Sequence, residues 1–107
     1  MKRRLVIPRQ ATTRDIESAV DYYVGEGAEG AAVAFVDAVE QAFRHISRFP
    51  NAGSPRFAHE LDLPGLRHWQ LNGFPYLVFY QDLEHHVDVW RVLHEERDMP
   101  AWIRERE

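Results

Sequence analysis

Residues 66–99, LRHWQLNGFPYLVFYQDLEHHVDVWRVLHEERDM, decide how this chain folds. Leu66 to Leu71 alternates, with Arg67, Trp69 and Leu71 on one side and Leu66, His68 and Gln70 on the other, which is the two-residue period of a strand. Asn72-Gly73 follows; both residues tolerate positive φ, and the pair predicts a hairpin. Phe74 to Tyr80 (FPYLVFY) is nearly all apolar and reads as a central strand buried on both faces. Pro75 belongs at its start or at a bulge, because proline cannot donate to a ladder. After a turn over Gln81 to His86, Val87 to Leu93 reads as a third strand. Val87, Val89, Arg91 and Leu93 fall on one face of it, and Asp88, Trp90 and Val92 on the other. Three consecutive antiparallel strands result.

What precedes them reads as helical cover. Arg4 to Ile7, closed by Pro8, suits a short strand at the sheet's edge. Thr12 or Thr13 then caps a helix with Asp15 and Glu17 in its first turn, where the helix dipole favours acids. Ile16, Ala19, Val20 and Tyr23 form its apolar stripe, and Gly25, Gly27 and Gly30 break the pattern. In a second helix Ala32, Phe35, Val36, Val39, Ala42, Phe43 and Ile46 recur at three- and four-residue steps until Phe49-Pro50 stops it. Two helices so joined predict an antiparallel hairpin with its apolar seam on the sheet. Residues 50–65 (PNAGSPRFAHELDLPG) form a connection without long regular structure, tethered by Phe57, Leu61 and Leu63. The charged tail carries Trp102 and Ile103, which either dock on the domain or face a partner, and Pro100 is placed to open a short terminal helix. The expectation is one α+β domain over residues 1–107, with the amino-terminal strand, the helical hairpin, a three-strand antiparallel sheet and a short carboxy-terminal helix or tail.

Composition narrows the function. A chain of 107 residues without cysteine must stand on its core, which suits a reducing cytoplasm. No stretch approaches the ~18 apolar residues of a membrane span, and the apolar run after the basic terminus is too short for a signal peptide. A net charge of −4 disfavours non-specific coating of nucleic acid, which relies on basic side chains, but leaves room for a local basic patch. The preference is for a protein partner.

Catalytic motifs are scarce. His85 and His86 are adjacent and there is no HxH, HExxH or CxxC, so no metal site is expected. No GxSxG elbow frames Ser18, Ser47 or Ser54 as a nucleophile, and the glycines between the helices lack the strand that a dinucleotide fingerprint requires. No cofactor is implied. What remains is a polar group of Arg91, His94, Arg97 and Asp98, joined by Arg67 and His68 from the neighbouring strand. A guanidinium among apolar residues needs a carboxylate, which Asp98 or Asp15 supplies in a structural reading. In a functional reading His94 and Arg97 meet a phosphate or a partner's acidic surface.

Several segments resemble the ParE branch of the RelE/ParE superfamily of bacterial toxins. FPNAGSPR (49–56) is similar to its FPxxGxxR connection, Leu66-Arg67 with FPYLVFY to its strand pair, and RVLHEERD (91–98) to its RVLHxxRD terminus. Pro8, Ala11 and Asp15-Ile16 match the start of its first helix. The resemblance implies a cytoplasmic toxin, forming a hetero-oligomer with a ParD-like antitoxin whose disordered tail folds onto it. It also implies DNA gyrase as target, no catalytic centre, and no sequence-specific nucleic-acid binding by the toxin alone. The competing RelE-like branch cleaves mRNA on the ribosome with a basic and aromatic set. Here the positions where those nucleases carry arginine are Leu77 and Glu95, neither able to stabilise a developing phosphorane. A third reading is an inactive member that only binds its partner. Antitoxin capture is expected in an apolar groove between hairpin, sheet and tail, with Trp69, Trp90, Trp102 and Ile103 as candidate anchors. Arg67, Arg91, His94, Arg97 and Asp98 are expected to form a mainly structural network whose rim serves toxicity.

Overall fold

The computed structural model describes residues 3–96. Along the chain run β1 (Val6–Pro8), α1 (Gln10–Gly25), α2 (Glu29–Arg48), the short α3 (Arg56–Glu60), β2 (Leu66–Gln70), β3 (Tyr76–Asp82) and β4 (Val87–His94). The sheet order is β1-β4-β3-β2. The three expected strands pair antiparallel, whereas β1 joins β4 parallel, Val6 opposite Val87 and Pro8 opposite Val89. Parallel pairing needs a long crossover, and the hairpin, α3, β2 and β3 all lie within it.

The sheet is covered on both faces. Against one lies the helical hairpin, with Ala19 of α1 and Phe35, Ala38, Val39, Ala42 and Ile46 of α2 packed on Leu71, Val78, Tyr80, Val87, Val89 and Val92. Phe35 and Ile46 are wholly buried, each contributing about 1.5–3 kcal/mol by leaving water. Against the other face, the segment bearing α3 lays Leu61, Phe57 and Leu63 on Leu66, Phe79, Trp90 and Leu93. The expected tethers therefore hold a second, smaller core. Gly27 (φ +74°) makes the link between α1 and α2, while Gly30 lies inside the first turn of α2.

Three local expectations are corrected. Helix α1 is capped at Arg9, three residues before Thr12, so neither threonine caps it and Asp15 and Glu17 fall beyond its first turn; Thr12 is buried and its hydroxyl donates to the Val89 carbonyl at 3.0 Å, pinning the helix to the sheet. The Asn72-Gly73 hairpin forms, but its loop extends through Pro75: Leu71 N–H donates to Tyr76 O, and proline has no N–H with which to close the loop sooner. Strand β4 does not alternate strictly. Tyr80 faces Val89 and Phe79 faces Arg91, so Trp90 is an extra residue, a β-bulge. Val87 and Val89 consequently reach the hairpin core, while Trp90 and Leu93 both reach the second core.

Candidate functional site

Strand β1 shields β4 only along Val87–Val89. Beyond it a carboxylate takes over from a strand: Asp15 on α1 accepts the Val92 N–H at 3.0 Å and, with both oxygens, the Arg91 guanidinium at 2.8 and 2.7 Å. The pair is nearly dry, with side-chain exposures of 8% for Arg91 and 12% for Asp15. Of the two carboxylates considered for Arg91, Asp15 is the partner found; Asp98 and Arg97 lie outside the described residues, as do Trp102 and Ile103.

Where α1 stands off from the end of β4, a groove of about 560 Å³ opens. Asp15, Ser18, Tyr22 and Tyr23 form its helical wall, and Tyr76, Val92 and His94 its sheet wall. The rings behind it are stacked edge to face: Phe35 lies 5.0 Å from Tyr76 and 5.4 Å from Phe74, and Tyr76 lies 5.2 Å from His94. These contacts make the sheet wall stiff. Tyr22, by contrast, is 61% exposed. Burial and the neighbouring Tyr22 raise the Tyr23 phenol above its ordinary value, so it stays neutral in any physiological buffer. His94 is half-buried on the rim, its Nδ1 accepting from the Glu96 N–H at 3.2 Å. The groove presents hydroxyls, an imidazole and apolar surface, chemistry suited to gripping an amphipathic peptide.

The other sequence candidates are placed elsewhere. Arg67 donates to the carbonyls of Gly53 (2.7 Å) and Asn51 (3.2 Å), holding the proline-rich connection to β2. Trp90 is 7% exposed within the second core, and the Arg9 guanidinium, ion-paired to Asp88, lies 4.6 Å over its ring. Trp69 packs under the end of α2 with its ring stacked 4.3 Å from His45. His68 sits between Phe57 and Phe79, and burial, aided by the Arg56 charge, lowers its pKa. The structure thus brings His94 to the groove, holds Arg91 behind its wall on Asp15, and leaves Arg67, Trp69 and Trp90 outside it. Tyr22, Tyr23 and Tyr76 were not singled out from sequence as site residues. Tyr22 carried a signal all the same, a large ring lying off the apolar stripe of its helix.

Among solved structures, the fold is similar to that of the chromosomal ParDE TA system from P. aeruginosa, with a TM-score of 0.71 at 16% identity, covering 85% of this chain and 95% of that one. The architecture is therefore the small α+β fold of that structure. No curated protein is matched by sequence. Residues 6–99 match the family model described as the ParE toxin of the type II toxin–antitoxin system, parDE, and the chain belongs to that family. Membership makes it the toxin half of such a pair, with a ParD antitoxin as its counterpart. Among the described residues no helix is long and apolar enough to cross a membrane.

Proposed function

We propose that this toxin acts in the cytoplasm by binding DNA gyrase rather than by cutting RNA, and that the tail of its ParD-like antitoxin occupies the groove between α1 and β4. The observation that carries the first half is the state of the cations on the sheet. Arg91 is buried and doubly bound to Asp15, and Arg67 is spent on backbone carbonyls, so neither guanidinium is free to meet a scissile phosphate. The central-strand position where a nuclease of the superfamily is expected to carry arginine holds Leu77, packed in the second core, and Glu95 follows β4. Cleavage through a 2′-hydroxyl needs positive charge on the developing oxyanion and a proton donor for the leaving oxygen. Gripping a protein needs neither.

The groove favours an amphipathic occupant. Its floor is apolar and aromatic and its rim is polar, the arrangement that holds a helix or strand by a few ring anchors. In this reading Tyr22 is the exposed anchor and Trp90 serves packing alone.

Two assays on the purified chain decide the target: gyrase supercoiling with capture of cleaved DNA, and ribosome-dependent cleavage of mRNA. Inhibited supercoiling with intact message is the expected outcome; cut message with unaffected gyrase reverses the assignment. For the groove, Tyr22→Ala is expected to weaken antitoxin binding about tenfold or more by calorimetry, with an unchanged circular dichroism spectrum. Unchanged affinity moves the antitoxin to another surface.

A further inference from the structure

The partners of the arginines single out a second surface. Arg4 is ion-paired to Asp82, Arg9 to Asp88, Arg56 to Glu60 and Arg91 to Asp15; Arg67 binds carbonyls and Arg14 is engaged as well. Arg3, Arg44 and Arg48 are different. None of the three has an acceptor among the described residues, and all three line one groove of about 430 Å³ beside the end of α2, together with Gln41, His45 and Phe49. The recess continues past Phe49 along Pro50 to Ala52, and among the described residues no carboxylate lines either part.

A solvated helix end explains some of this. Cations at a helix C-terminus complement its dipole, which accounts for Arg48. It accounts neither for Arg3, which comes from the segment before β1 and is brought there by the Arg4 N–H bond to the Ser47 carbonyl, nor for Phe49, a phenyl ring left 46% exposed at the rim. Three guanidinia with no ion-pair partner among the described residues gather positive charge locally on a protein of net charge −4.

We propose that this groove binds the backbone of single-stranded nucleic acid, independently of which protein the toxin inhibits. Arg44 and Arg48 stand one helical turn apart, about 5–6 Å, a step that successive phosphates of an extended strand match. The planar guanidinium donates two parallel hydrogen bonds to a phosphate. Phe49 then offers its face to a base, a contact that is tolerant of sequence because every base has a π-face. The stack on Trp69 fixes the His45 ring beside the path of the strand. The acidic remainder of the surface keeps such binding local and weak, a contact that assists rather than coats.

The test is fluorescence anisotropy of a labelled oligothymidylate with the full chain across a salt series. Binding is expected near 10⁻⁵ M at low salt, with log K falling against log salt at a slope of about −2 for three phosphate contacts. Arg44→Gln with Arg48→Gln is expected to weaken binding at least about tenfold and to bring the slope to about −1 or shallower. Phe49→Ala is expected to cost roughly tenfold with the slope unchanged. All three side chains are exposed, so the fold should persist, which circular dichroism checks. Arg56→Gln, which removes one cation from the opposite face of the sheet, should alter neither quantity. Salt-independent or absent binding, an equal loss with Arg56→Gln, or tighter binding of polyglutamate than of the oligonucleotide overturns the proposal, the last in favour of an acidic protein segment.

Discussion

Arg91 and Asp15 show how much one buried pair can hold. The Asp15 carboxylate receives the guanidinium and the Val92 N–H, so it joins helix to strand at the point where β1 ends. Replacing Arg91 by alanine strands a carboxylate in a nearly dry site and should cost about 3–5 kcal/mol, read as a lower urea midpoint. The double change Arg91→Met with Asp15→Leu removes both charges of the pair and costs chiefly the hydrogen bond of the Val92 N–H, which should keep the loss below that of the single variant, at about 1–3 kcal/mol. Equal losses in the two variants would place the energy in packing instead. The need for this pair was legible in the sequence, because a guanidinium among valines and leucines requires a carboxylate and Asp15 was one of two candidates. The third bond, to Val92, was not. It depends on where β1 stops, and a three-residue strand leaves almost no pattern to read.

The connection between α2 and β2 is irregular yet tightly specified. Ser54 exchanges both backbone hydrogen bonds with His68, so the segment adds a bridge along the outer edge of β2. Behind it the Tyr80 hydroxyl accepts the Gly53 N–H at 2.9 Å and donates to the Pro50 carbonyl at 2.8 Å. Burial pushes the Tyr80 phenol above its ordinary value, so it remains a donor. A Cβ on Gly53 would lie 2.4 Å from that hydroxyl and 2.9 Å from the His68 carbonyl. Gly53→Ala should therefore destabilise by about 1–3 kcal/mol through overpacking, and Tyr80→Phe by a similar amount through two buried groups left unpaired. Because both act on one contact, thermal midpoints of the double variant should fall less than the sum of the single losses. Proline and glycine announced a connection here, but the side chain that fills the space above Gly53 lies 27 residues downstream, beyond any local pattern. The bulge at Trp90 escaped for the same kind of reason: an extra residue in a strand of valines and leucines changes no periodicity visible over so short a run.

At the scale of the molecule, the sheet is a wall between two cores of unequal size. Its antiparallel part and the hairpin above it were legible because their periodicities are strong. The cover on the second face was legible only as three apolar tethers. Against that smaller core lies a titratable ring, His68, that gives stability a pH dependence near neutrality. His68 has no hydrogen-bond partner at its buried Nδ1 among the described residues, and its pKa is lowered by burial first and by Arg56 second. In the unfolded chain the ring titrates at about 6.5, so below that pH the unfolded state holds more protons than the folded one. Stability should be full above about pH 6.5 and decline as pH falls toward the lowered folded value. His68→Phe, which keeps a ring between Phe57 and Phe79, should flatten that part of the profile in urea titrations; an unchanged slope would assign it to other groups. The parallel seam between β1 and β4 has a consequence of a different kind. Its two members are some eighty residues apart, so during synthesis the first strand must wait, unpaired, until nearly the whole sheet has left the ribosome. Until that seam closes, the sheet that walls the groove beside α1 is unfinished, so neither antidote nor target meets a completed surface before synthesis is nearly over.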